Sequence, residues 1–190
     1  MDRIVSSFRA LGLVSPLNDK IIAYGLQKMS TLLIDLCFSL LLSTLMGNLW
    51  IGLLFEVTYS SLRIYSGGYH APNEKYCKYL SWGCTIGCLF TIFYLPLKSW
   101  SLITLFGIAG IVVLTLAPIE STNKPLTNGE QEKFKKKSRT IFFADFICFL
   151  IFSLAGIQIC AKTICISLVL VALGLLMEKN TQNQKGPELC

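Results

Sequence analysis

The residues best suited to chemistry lie in one short stretch, Arg63-Ile-Tyr-Ser-Gly-Gly-Tyr-His-Ala-Pro-Asn-Glu-Lys-Tyr-Cys77. It holds the only histidine of the chain, His70, and a cysteine in polar surroundings, Cys77. An imidazole beside a thiol favours the thiolate, and the partial positive charge of a helix N-terminus acts in the same direction. Such a pair is suited to acyl transfer: sulfur attacks a carbonyl carbon, and the imidazole carries the proton. On one unbroken helix the seven-residue spacing would separate the two by about 10.5 Å along the axis, beyond hydrogen-bond reach. Gly67-Gly68 breaks the preceding helix. Pro72 biases Ala71 toward extended geometry and suits the start of a new helix. His70 then sits on a loop able to fold back over the helix that carries Cys77. The residues alone leave another reading open, an interfacial histidine satisfied by its surroundings with an unrelated cysteine nearby. A zinc site built with Cys84 and Cys88 fails on distance. Those thiols would lie about 10 and 16 Å along a helix from Cys77, whereas Zn–S bonds are about 2.3 Å. No metal or other cofactor is expected.

The elements that must position these groups are apolar. The chain has 190 residues, enough for one domain, with 53% hydrophobic and 15% charged residues. Soluble domains carry about 25% charged residues, so an ordinary soluble enzyme, a disordered chain, a collagen and a coiled coil are all excluded. Lys and Arg number 17 against 11 Asp and Glu, a net charge of +6. Because the cations flank apolar blocks, they point to a membrane and not to nucleic acid. Six blocks follow one another at about 30–47, 49–65, 80–97, 100–117, 141–160 and 163–177. The first two, joined near Gly47-Asn48, and the last are short for a bilayer of about 30 Å. The fold expected is all-α: a single integral membrane domain over 1–190, with a polytopic bundle of about six segments over 29–178. Residues 1–28 read as amphipathic interfacial helices, with Ser15-Pro16 as a cap and first-turn proline. They mix charged and apolar residues throughout, so no cleavable signal peptide is expected.

With both termini in the cytosol, only Lys98 and Lys162 of the 17 cations fall outside. The positive-inside rule therefore places the catalytic segment 63–79, the basic loop 118–140 and the tail 179–190 on the cytosolic face of a bacterial cell membrane. Cys37, Cys84, Cys88, Cys148, Cys160 and Cys165 fall within apolar stretches, where a thiol is commonly a small packing residue.

The Arg63, Gly67-Gly68, His70 and Cys77 pattern resembles that of the accessory gene regulator protein B (AgrB) family, bacterial membrane endopeptidases that process quorum-sensing pro-peptides. Ala117-Pro118-Ile-Glu-Ser-Thr-Asn-Lys-Pro125 is similar to the family's proline- and lysine-containing loop, and the resemblance covers most of the chain. It implies a cysteine endopeptidase with His70 and Cys77 catalytic, acting on an AgrD-like pro-peptide at the lipid surface. Cleavage through a thioester would support thiolactone or lactone closure of an autoinducing peptide.

Several residues carry two readings. Arg63 either pairs with Glu56 or Asp35, or binds substrate and orients the site. Gly68 shapes the loop, or lends its N–H to an oxyanion. Asp145 is structural, or orients His70. The run containing Lys135, Lys136 and Lys137 faces lipid headgroups, or recognises an acidic C-terminal part of the pro-peptide. The apolar surface also leaves room for a homodimer. The contrasting function is a small peptide exporter using Asp35, Glu56 and Asp145 without proteolysis, although no inverted repeat is apparent.

Overall fold

The computed structural model describes residues 19–69, 74–119 and 128–184. Its described elements are α-helices: α1 (Asp19–Leu45), α2 (Leu49–Ser66), α3 (Glu74–Tyr94), α4 (Ser99–Leu116), α5 (Asn128–Leu154) and α6 (Gln158–Gln184). The expectation of an all-α chain holds, and the helix breaks sort the six apolar blocks one to each element. Two helices, α4 and α6, are each long and apolar enough to cross a membrane, and Met29–Leu45 is a shorter apolar stretch.

The chain divides into two compact units, 1–38 and 39–190. In the first, α1 starts at Asp19 and runs through residue 28 without interruption. A separate interfacial helix ending there was expected; between Lys20 and Ser30 there is no proline to stop the helix. Its Met29, Leu32, Leu33 and Ile34 are exposed. Ser15-Pro16 lies outside the described residues.

In the second unit α6 is the central element, packed by α2, α3, α4 and α5. Its Ile164, Cys165, Leu168, Val171 and Leu175 are buried against Leu62, Leu102, Phe106, Val113, Phe142 and Phe149. A second cluster joins Ile51, Phe55, Leu89, Ile92 and Ile166. Stacked rings reinforce the contact of α4 with α5, Phe106 lying 4.4 Å from Phe149 between centroids.

The α1–α2 turn is closed locally. Gly47 takes φ 107°, and the Asn48 side chain accepts a hydrogen bond from the Trp50 N–H at 3.0 Å. Ser43 Oγ accepts from the Gly52 N–H at 2.8 Å and donates to the Asn48 carbonyl. A Cβ at Gly52 would fall 2.5 Å from Ser43 Cβ, so glycine is what allows these helices to approach.

The break between the last two blocks differs from the sequence reading. It falls at Ala155–Ile157, where Gly156 takes φ 75°, and not around Lys162. Lys162 lies inside α6 and reaches across to α3, where Nζ donates to the Ile92 carbonyl at 2.7 Å and to that of Leu95. A cation on the orphan carbonyls at a helix C-terminus is favourable. The tail differs too, since α6 continues as helix to Gln184.

Candidate functional site

The predicted segment leaves α2 through two glycines in conformations that side chains disfavour. Gly67 has φ 75° and Gly68 has φ 126°. A Cβ on Gly68 would lie 1.7 Å from Arg63 Nη1, and one on Gly67 would lie 2.4 Å from the Ile119 carbonyl oxygen. Both residues are therefore fixed as glycine by backbone angle and by space.

Arg63, in the last turn of α2, folds its guanidinium along the chain that follows. Nη1 donates to the Gly67 carbonyl at 2.8 Å and Nη2 to the Tyr69 carbonyl at 2.5 Å. These bonds use the planar fork of arginine, which a lysine could not reproduce. Pairing with Glu56 was one sequence reading; the guanidinium donates to carbonyls, while Glu56 is buried and accepts from Ser60 Oγ at 2.6 Å.

Two distant segments complete the anchorage. The Ile119 N–H donates to the Ser66 carbonyl at 3.1 Å, within an isolated parallel bridge of Gly67 to Ile119. The Tyr69 N–H donates to the Gly174 carbonyl on α6 at 3.0 Å. The two stretches singled out in the sequence, 63–77 and 117–125, thus meet where they are described. Ser66 is wholly buried, and its hydroxyl has no hydrogen-bond partner among the described residues.

The basic run approaches the same end of α2. Lys137 Nζ lies 4.9 Å from the centroid of the Tyr65 ring, and Phe134 meets that ring edge-on at 5.9 Å. Lys135, with Thr115, Ala117, Pro118, Gln131 and Glu132, lines a cleft of about 340 Å³. Lys136 is exposed, and Asp145 is half-buried farther along α5.

Cys77 stands in α3 three residues after Glu74, half-exposed and as a free thiol. His70 lies outside the described residues. Among those described, no cluster of His, Cys, Asp and Glu is arranged to hold a metal ion. Gly174 escaped the sequence reading, and the Ile119 bond to Ser66 was not foreseen although Ile119 lies in a singled-out loop, since a backbone contact across the fold leaves no local pattern. Buried Glu178, one turn beyond Gly174, was also missed; it accepts from Gln182 Nε2 at 3.4 Å.

The family model described as Accessory gene regulator B matches residues 2–177. The chain is 30% identical over 125 residues to "Putative AgrB-like protein 2" of Clostridium perfringens (strain 13 / Type A), covering 62% of this chain and 58% of the relative. It is 29% identical, over the same shares, to "Putative AgrB-like protein" of Clostridium perfringens (strain SM101 / Type A). The match thus spans less than two thirds of the length of these relatives. No solved structure matches.

Proposed function

The chain belongs to the accessory gene regulator B family, and on that premise we propose that it is a membrane cysteine endopeptidase that processes an AgrD-like pro-peptide in quorum sensing. The observation that carries this reading is the pairing of a free, half-exposed Cys77 at a helix N-terminus with a preceding turn held at Tyr69 through both its N–H and its carbonyl. Five residue steps join Tyr69 to Glu74 of α3, a span of at most about 18 Å. In the sequence His70 follows the anchored Tyr69 directly and precedes Cys77 by seven residues.

His70 takes the proton of Cys77, whose sulfur attacks the carbonyl between the signal segment and the C-terminal part of the pro-peptide. As the tetrahedral species collapses, the C–N bond breaks and His70 delivers its proton to the departing amine. The thioester left on Cys77 keeps its acyl reactivity. A thiol of the same peptide then attacks it, an S–C bond forms in the ring, and Cys77 regains its proton. A substrate hydroxyl would give a lactone. Ring closure competes with hydrolysis, so water must be kept from the thioester.

A membrane setting is supported by the outward faces of the helices. Ile103, Ile108 and Ile111 on α4, and Ile147, Ile151 and Leu154 on α5, are more than half exposed, which water would penalise and hydrocarbon would not. We read the helices as a multi-pass bundle with the 63–79 segment and the Lys135–Lys137 run on the cytosolic side, in accord with the distribution of cations. The pro-peptide would lie along the inner leaflet.

The test is a trapping assay on the purified full chain in liposomes. The pro-peptide should form a hydroxylamine-labile adduct that is absent in Cys77→Ala. Cleavage should fall by about 100-fold or more in His70→Ala. Normal cleavage by either variant would end this reading.

A further inference from the structure

Gly174 belongs to neither sequence motif, yet it touches the candidate site in two ways. Its carbonyl accepts the Tyr69 N–H at 3.0 Å. Its missing side chain leaves the space into which the Arg63 guanidinium extends, since a Cβ there would lie 3.0 Å from Nη1 and 3.8 Å from Cζ. That same Nη1 holds the Gly67 carbonyl. One residue of α6 therefore bears on both ends of the turn: directly at Tyr69, and through Arg63 at Gly67.

We propose that Gly174 is a positioning residue of the processing site, seating the Arg63-held Gly67–Tyr69 turn against α6 and so fixing the backbone to which His70 is joined. The inference rests on the function proposed above and adds to it a residue more than a hundred positions away. Packing alone does not require glycine here. It is an interior position of α6, where alanine is the better helix former, and the surroundings offer a flexible arginine, not a wall of backbone, to an added methyl group. A merely structural role therefore makes Gly174→Ala neutral or favourable to the fold. A positioning role makes it harmful to the chemistry, because the guanidinium must shift by tenths of an ångström from two carbonyls it holds. Arg63 itself holds the turn, Lys137 lies over Tyr65 just before it, and buried Glu178 is one helical turn along α6 from Gly174.

The experiment uses the full-length protein in liposomes and reads Cys77 alone. Iodoacetamide alkylation is followed against pH, with the Cys77 peptide quantified by mass spectrometry. Wild type, His70→Ala and Gly174→Ala are compared, with thermal unfolding as the control for folding. We expect wild type to alkylate at lower pH than His70→Ala, and Gly174→Ala to shift toward His70→Ala with an undiminished Tm. In the trapping assay its kcat should fall about tenfold with KM nearly unchanged, the pattern of a misplaced catalytic group. The same substitution in an Arg63→Lys background should cost less than about twofold, because residues acting through one another are not additive.

If wild type and His70→Ala titrate alike, the His70–Cys77 reading fails, and the inference with it. If those two differ while Gly174→Ala follows wild type, the function stands and the positioning role of Gly174 is overturned. Equal losses in the wild-type and Arg63→Lys backgrounds would also overturn it. Should Gly174→Ala unfold, Arg63→Lys alone carries the test, since loss of the forked contacts must shift the Cys77 profile in the same direction.

Discussion

Two of the turns that leave helices through glycines with positive φ are built in opposite ways. At the α1–α2 turn, Gly47 has open space where a Cβ would be, and the closing bonds come from Ser43 and Asn48 within a few residues. At the α2 exit, Gly68 has no such space, and the bonds reach Ile119 and Gly174, about 50 and 105 positions away. The first turn needs only to reverse the chain. The second is held from three sides, although reversing the chain would not require it. Strained backbone persists where the surroundings over-determine it, and such places cluster at functional sites.

The sharpest way to break this contrast is to put the same methyl group in both turns. Gly68→Ala forces a Cβ to within 1.7 Å of Arg63 Nη1 at φ 126°, so the guanidinium must leave its carbonyls. Pro-peptide processing should fall by about 100-fold or more, the scale of a misplacement of about 1 Å. Gly47→Ala meets nothing within 4 Å and carries only backbone strain, about 1–3 kcal/mol. It should lower Tm while leaving kcat of the folded protein unchanged. Equal effects on processing would show that the two turns differ in form alone.

What was legible in the sequence follows the same division. Gly47-Asn48 and Gly67-Gly68 announce helix ends because glycine acts on the chain locally. The free thiol of Cys77 at the start of a helix was readable for the same reason, with Pro72 just upstream. Arg63 was visible as an unusual cation, but its use of the Gly67 and Tyr69 carbonyls was not. Charge suggests a charged partner, whereas the spare acceptors at a helix end depend on how the chain leaves it. Lys162 misled for a related reason. A cation between two apolar blocks reads as a connection, but its long stem lets the charge reach the end of α3 from within α6. Gly174 was illegible, and so was the role of Ile119 within its legible loop, because each contributes backbone to a partner far along the chain.

A smaller effect separates anchoring from recognition at the functional turn. Lys137 sits over the Tyr65 ring two residues before Gly67, while Lys136 is exposed and Lys135 lines the neighbouring cleft. Replacing all three by glutamate should raise KM for a full-length acidic pro-peptide by about tenfold with little change in kcat, more so at low salt. Loss of the cation–π contact adds about 0.5–1 kcal/mol of destabilisation, visible as a modest drop in Tm. A fall in kcat at constant KM would instead make the basic run part of the machinery that positions the turn.

The smallest effect is expected at the locally built turn, and its smallness is informative. Asn48→Ala removes the acceptor for the Trp50 N–H, a capping loss of about 0.5–2 kcal/mol. The Ser43 contacts to Gly52 and Asn48 remain, because they use Ser43 Oγ and the backbone at residue 48. Thermal unfolding should register the change while the pH profile of Cys77 alkylation stays on that of wild type. A shift in that profile would mean that the α1–α2 turn is coupled to the chemistry through α2, and the division between the two turns would fail where it is easiest to measure.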